Sequence, residues 1–321
     1  MVNEPESPTT TAAATVPVAR STGLALCLSG GGFRATLFHL GALRRLNELA
    51  VLARVETVTS VSGGSILNGV LATRWSELSL GTGGVFANYD KVVADPVREF
   101  CARDLRTPLL VGTRLNPVQW PTLVRDLGAV PGNALAGAYQ RLCLGRQLAQ
   151  LPAPAPGGVP RFVFCATNVQ TGACWHFHGG PGGRMGDFYT GYTECDGVSV
   201  AEAVAASSAF PPGFGALRLP AGGRTFTRVD PWGDERASSK KRKPLGEQAQ
   251  RVVLLTDGGV YDNLGVEPVW TRGGCVLVSD AGRPFSSQTR CWQALVPRLR
   301  RATEVSMEQV GAVRKRWLPA R

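Results

Sequence analysis

The stretch Thr57-Val-Thr-Ser-Val-Ser-Gly-Gly-Ser-Ile-Leu-Asn-Gly69 decides how the chain is read. The β-branched run Val55 to Val61 predicts a strand. It stops at Ser62, two glycines follow, and a helical segment is expected from about Ser65 to Leu78. A serine at a tight strand-to-helix turn is how an α/β hydrolytic enzyme presents a nucleophile. Flanking glycines suit the unusual backbone angles and the close approach of the helix. A serine here also suits a plain helix N-cap. The stretch alone leaves both readings open, and the rest of the chain must decide.

Upstream, Gly23 to Leu28 is a short apolar run, consistent with a buried parallel strand, and it ends at Ser29-Gly-Gly-Gly-Phe-Arg34. Ala35, Leu37, Phe38, Leu40, Ala42, Leu43, Leu46 and Leu49 then fall at helical spacing. Strand, glycine loop, helix, strand, serine turn and helix make a βαβα unit, expected as a right-handed crossover in a parallel sheet. Both special loops follow strand C-termini, the side where open α/β sheets bind ligands. Downstream, helices are predicted over Lys91 to Asp104, Val118 to Leu127 and Ala134 to Leu151, with a Pro-rich loop to Gly158. Arg161 to Asn168 reads as a strand, with weaker strands at Cys174 to His178 and Phe188 to Tyr192. Val200 to Ser208 is helical and stops before Pro211-Pro212. Asp230 to Gln250 reads as a polar, mobile insertion. Arg251 to Thr256 and Gly274 to Ser279 are further buried strands, and a basic amphipathic helix over about Pro297 to Leu318 closes the chain.

The 321 residues suffice for one large α/β domain or two small ones, and the apolar fraction of 44% is ordinary for a globular chain. Residues 1–22 are rich in Ser, Thr, Pro and Ala and read as a disordered leader. Glu4 and Glu6 stand where a secretory signal would carry basic residues, and no apolar run is long enough to cross a membrane. The eight cysteines include no Cys-x-x-Cys pair, which suits a reducing compartment and disfavours a disulfide framework or a zinc site. The expected location is cytoplasmic or peripheral at a membrane. The formal charge of +11 is dispersed, with dense spots at Lys240 to Lys243 and Arg314 to Arg316, and no nucleic-acid-binding signature accompanies it. No nucleic acid is expected as a partner.

Ester hydrolysis by a serine needs a nucleophile, a base and donors for the oxyanion. Ser62 is the nucleophile candidate; Ser60 stands where the common elbow pattern has its first glycine, and Gly63 and Gly64 follow. Ser65 reads as local capping. Gly30, Gly31 and Gly32 are the donor candidates, with Arg34 adding charge or bracing the loop. A dinucleotide loop would need a carboxylate ending the second strand, and that strand ends in the serine turn instead. Asp257, followed by Gly258 and Gly259, is the base candidate; Asp262 and Asp280 are alternatives, and a turn aspartate is the plain reading of Asp257 alone. His39 lies on the first helix, packed or facing solvent. His176 and His178 share one strand face, a spacing that also suits a metal pair lacking a third ligand. A Ser-Asp dyad ranks above a Ser-His-Asp triad.

Together the three loops resemble the patatin-like phospholipase family: Gly30-Gly-Gly-Phe-Arg34, Ser60-Val-Ser-Gly-Gly64 and Asp257-Gly-Gly259, in that order and each after a strand. The first loop is also similar to that of the cytosolic phospholipase A2 relatives, and Ala206 to Pro212 resembles the helix end that family members carry before the aspartate. The resemblance implies a three-layer α/β/α fold with a mainly parallel central sheet, over residues 23–270, with 271–321 completing the same domain. It implies lipid acyl hydrolysis with Ser62 as nucleophile, Asp257 as base and Gly30, Gly31 and Gly32 as oxyanion donors supported by Arg34. It implies no cofactor and no metal, an acyl lipid or phospholipid substrate, and transient contact with a membrane surface. Ser60 for the elbow glycine and Ala35 for the glycine often following the arginine are departures between small residues. A non-catalytic lipid- or membrane-binding module that keeps the fold is the alternative, motivated by the charge and the altered elbow.

Overall fold

The computed structural model describes residues 23–103, 132–211, 213–233, 251–270, 272, 274–282 and 294–318. The expected leader, the predicted helix Val118 to Leu127 and most of the predicted insertion after Asp230 lie outside these residues. Nine strands form one mixed sheet: β1 (Leu24–Leu28), β2 (Val55–Val61), β3 (Arg161–Asn168), β4 (Ala173–His178), β5 (Arg184–Asp187), β6 (Gly191–Glu194), β7 (Leu217–Pro220), β8 (Val252–Asp257) and β9 (Cys275–Ser279). The order is β6-β5-β4-β3-β2-β1-β9, with β8 beside β3 and β7 beside β8. The central strands β1, β2 and β3 are parallel, and β9 joins β1 in parallel at the edge, partly exposed where a buried strand was expected.

Among the described residues the α-helices are α1 (Gly32–Glu48), α2 (Gly63–Arg74), α3 (Asp95–Cys101), α4 (Gly132–Tyr139), α5 (Val200–Ser208), the single turn α6 (Gly259–Asp262) and α7 (Leu295–Trp317). They cover both sheet faces, and the alternation along β1 displays this. Leu26 and Leu28 join the main core with Leu40 and Leu43 of α1 and with Ile66, Leu67, Val70 and Leu71 of α2. Ala25 and Cys27 point the other way, against Leu264, Val266 and Val269. A strand buried on both faces needs the continuous apolar run read in the sequence rather than strict alternation. Along β3, Phe162, Phe164 and Ala166 serve the main core, while Val163 and Cys165 join Val61 and Cys174 on the second face.

The pairings around β3 set the geometry of everything that follows. β4 occupies one edge of β3 from Val163 to Asn168. On the other edge, β2 runs parallel along Arg161 to Cys165, and β8 runs antiparallel along Ala166 to Asn168. The two strands therefore arrive from opposite directions, and their C-terminal ends meet: Val61 pairs with Cys165, and Asp257 pairs with Ala166.

Three further sequence expectations are corrected. The helix expected over Ala134 to Leu151 stops at Tyr139, because Leu144 and Gly145 take positive φ (53° and 61°) in a turn. The strand expected at Phe188 to Tyr192 is mostly the connection between β5 and β6, where Asp187 accepts the N–H groups of Tyr189 and Thr190 (2.7 Å each). The segment Lys91 to Asp104 opens with a π-helical turn, Asp90–Ala94, before α3.

Helix α2 is buried from Gly63 to Thr73, so it is the central helix of its layer. Its start is pressed against β1 and the first glycine loop: a Cβ on Gly64 would stand 2.5 Å from the Leu28 carbonyl oxygen, and one on Gly63 would stand 2.1 Å from that of Gly32. Gly64→Ala is therefore expected to cost at least about 1–3 kcal/mol, the usual range for overpacking. Urea unfolding checks this: the midpoint falls while the slope stays unchanged.

Candidate active site

Ser62 sits in the gap between the two strand ends with φ 50° and ψ −117°, a conformation that a non-glycine residue holds only under constraint. The constraint is a buried set of hydrogen bonds. Ser62 N–H donates to Ser207 Oγ (2.9 Å), which in turn donates to the Cys165 carbonyl (2.6 Å). The Ser62 carbonyl accepts from Ser65 N–H (2.9 Å) and Ile66 N–H (3.2 Å), starting α2. Ser65, expected as a local cap, instead places its hydroxyl 2.9 Å from both Ser60 Oγ and Ser207 Oγ. Ser60 has a role that a glycine could not fill: its hydroxyl accepts from Asn68 Nδ2 (2.9 Å) and donates to the Val163 carbonyl (3.2 Å).

Asp257 ends β8 and is 1% exposed, against 8% for Ser62. Burial pushes its carboxyl up from 3.8 to about 6, and hydrogen bonding from the Ser62 side chain and from Gly259 N–H draws it partly back. The Gly259 N–H bond to Oδ1 measures 2.8 Å, whereas Oδ2 is buried without a partner of ordinary hydrogen-bond geometry among the described residues. The backbone of this turn is fixed by the end of α5. Asp257 N–H donates to the Ala209 carbonyl and Gly258 N–H to the Ser207 carbonyl, 3.1 Å each. Ser207 thus holds the serine turn with its side chain and the aspartate turn with its carbonyl.

The glycine loop divides its tasks. Gly30 N–H donates to the Asn263 carbonyl (3.0 Å), so it is committed to the fold and is not a free donor, contrary to expectation. Gly31 and Gly32 adopt φ of 140° and 63°, and among the described residues nothing accepts their N–H groups. Both are exposed, at the N-terminus of α1, where a developing negative charge is favoured. Gly63, the residue after the serine and the first of α2, has an N–H without an intrahelical acceptor for the same reason. Arg34 is exposed, with Nη2 3.1 Å from the point a Cβ on Gly31 would occupy, so it folds back over the loop.

The other candidates are engaged elsewhere. Asp262 accepts from Leu264 N–H (3.1 Å) and Glu267 N–H (2.9 Å) and lies 3.5 Å from Arg314 Nε. Asp280 pairs with Lys315 (2.6 Å) and Gly282 N–H (2.8 Å). His39 is buried between the Ser29 carbonyl (2.9 Å) and Ser279 Oγ (2.8 Å), a latch joining α1 to β1 and β9. His178 is buried edge-on to Trp232, beside His176. Among the described residues, no three His, Cys, Asp or Glu side chains gather as a metal site would require. No histidine hydrogen-bonds Ser62 or Asp257 among those residues.

A family model of patatin-like phospholipases matches residues 26–270. The chain belongs to the patatin-like phospholipase family. No curated protein sequence matches it. Among solved structures, human GIVD cytosolic phospholipase A2 is similar at 15% identity and a TM-score of 0.44, over 79% of this chain and 41% of that one. VipD from Legionella pneumophila is similar at 13% identity and a TM-score of 0.30, over 77% and 47% respectively. This chain thus spans less than half the length of either.

In this patatin-like domain the sequence displayed the three loops but not what joins them. Ser207 lay within the recognised helix end, yet its task depends on pairings between distant strands. Asn263 was missed: its carbonyl takes Gly30 N–H, and its Oδ1 lies 2.3 Å from the position of a Cβ on Gly30 and 2.7 Å from that on Gly259. Two outcomes are expected. Ser207→Ala should cost about 1–3 kcal/mol, because it strands buried polar groups, read from the urea midpoint. His178 is held neutral: burial and the nearby His176, Arg161 and Arg272 push it well below its ordinary 6.5. The unfolded chain takes up a proton at His178 as pH falls below 6.5 and the folded chain does not, so acidification below that pH destabilises the wild type. The melting temperature of the wild type minus that of His178→Phe should therefore decrease from pH 7.5 to about 5.5.

Proposed function

We propose that this chain is a serine lipid acyl hydrolase of phospholipase A type, cleaving acyl ester bonds of membrane lipids through a Ser62-Asp257 dyad. One observation carries the reading: β2 and β8 meet end to end beside β3, bringing a serine in a strained turn up to a buried carboxyl. Family membership supports lipid ester hydrolysis as the reaction class. Ser62 Oγ attacks the acyl carbonyl carbon while Asp257 takes the hydroxyl proton. The negative charge on the carbonyl oxygen is met by N–H groups of Gly31, Gly32 and Gly63, with the N-termini of α1 and α2 behind them. Collapse breaks the ester C–O bond, and Asp257 returns the proton to the departing alcohol. Water then repeats the sequence on the acyl-enzyme, with Asp257 again the base, releasing the fatty acid and restoring Ser62. A base near 6 is well matched to neutral pH, since it is ionised yet still basic enough to accept the proton. The membrane supplies the substrate, so contact with its surface is transient and part of turnover.

A fluorophosphonate probe should label the wild type and not Ser62→Ala. Acyl release from mixed lipids should fall at least about a thousandfold in Ser62→Ala and in Asp257→Asn. Labelling that survives Ser62→Ala would sink the assignment. A folded protein that releases no fatty acid from any acyl lipid would leave the non-catalytic lipid-binding module. The acid limb supplies a separate test. Asp257 works as a base only when deprotonated, so kcat/KM should rise with pH, reach half its plateau near 6 and stay level above.

A further inference from the structure

Helix α7 is held to the domain by one side and presents a different chemistry on the other. Inward, Arg314 pairs with Glu267 (3.0 Å) and Asp262 (3.5 Å) and lies over the Tyr261 ring, 5.2 Å from its centre. Lys315 pairs with Asp280. Met307 Cε stands 2.8 Å from the point a Cβ on Gly259 would occupy, and Asp257 Oδ1 stands 2.9 Å from the same point. The helix therefore packs directly behind the aspartate turn.

Outward, Leu295 and Leu299 are 56% and 44% exposed, and Val305 and Val313 are 39% and 40% exposed. At 3.6 residues per turn these four, with exposed Arg298 and Arg316 among them, fall within an arc of about 120° on one side of the helix. The two carboxylates of the helix, Glu304 and Glu308, are half-buried on the other side. A surface helix normally turns its polar side to water. This one turns aliphatic residues and arginines outward and carries no acid there.

We infer that the outward face of α7 lies on an anionic lipid surface. Aliphatic side chains on such a helix enter the boundary between headgroups and acyl chains, and flanking arginines meet lipid phosphates. A second copy of the chain would set arginine against arginine. A nucleic-acid strand would call for aromatic stacking platforms, and this face offers leucine and valine. The net charge of +11 favours the same partner. The inference rests on the proposed lipid hydrolase for its purpose, since it holds the aspartate turn close to the surface that contains the substrate.

The test is sedimentation with phosphatidylcholine vesicles, with and without phosphatidylserine, using Ser62→Ala protein so that the lipid is not consumed. The parent should bind the phosphatidylserine vesicles more tightly, and salt should weaken that binding. Adding Arg298→Glu and Arg316→Glu should lower the affinity about thirtyfold or more, and Leu295→Asp with Leu299→Asp at least about tenfold. The substituted side chains are exposed, so each variant should melt with its parent; Arg298→Gln with Arg316→Gln is the milder form if the reversal does not fold. On the Ser62 background, the same variants should hydrolyse a short, monodisperse ester at the wild-type rate while losing activity on vesicles. If no ester is cleaved by any form, the proposed activity fails and the vesicle affinities still decide the surface. Unchanged vesicle affinity in both double variants overturns the inference, as does a parent that ignores phosphatidylserine. A dimer in solution that these substitutions dissociate would assign the face to a second copy and also overturn it.

Discussion

Ser207 is the residue on which the candidate site depends. Its hydroxyl takes the Ser62 N–H and gives its own proton to the Cys165 carbonyl, while its carbonyl takes the Gly258 N–H. A single buried residue at the end of α5 thus braces the serine turn, the aspartate turn and the strand between them. None of these contacts is strong alone, since a buried hydrogen bond contributes about 1 kcal/mol net. Their value is geometric. The turn at Ser62 is unfavourable by itself, and it persists because the surrounding bonds leave it no alternative.

The same closeness sets the electrostatics. With β2 and β8 meeting end to end, Asp257 is enclosed by backbone rather than water, and its carboxyl rises to about 6. A carboxylate placed on an exposed turn would stay near its ordinary value and make a weaker base. In the proposed mechanism burial therefore supplies a basicity that serine chemistry elsewhere draws from histidine. All three histidines lie in other packing roles or on the second face of the sheet, and none hydrogen-bonds the pair among the described residues.

Much of this was legible in the sequence because the elements at the centre are short apolar runs cut off by Gly, Ser or Asp. The strands at Leu24, Val55, Arg161 and Val252 and the helices after Gly32 and Gly63 are marked by such boundaries. What was hidden is relational. Apolar periodicity marks a strand without giving its direction, so nothing in Val252 to Asp257 announced that β8 runs against β3. Gly30 looked like a donor because its acceptor, Asn263, is distant in the chain. The helix end near Tyr139 was obscured because Leu142 and Cys143 remain apolar and buried after the helix has stopped. The hydroxyl network beneath Ser62 was invisible for a similar reason: Ser60, Ser65 and Ser207 each suit a plainer role until they are brought together.

The end-to-end meeting of β2 and β8 also bears on how the protein is made. The two strands are separated by nearly two hundred residues; β2 can pair with β1 at once, whereas β8 has no place until β3 is formed. Closing so long a span is slow compared with forming the local βαβα unit at the start. A nascent chain can pair β1 with β2 early and still lack both Ser207, which braces the serine turn, and the aspartate beside it. In the proposed lipid hydrolase the dyad therefore exists only once β8 has paired with β3, late in synthesis, so the chain carries no complete site while most of it is being made.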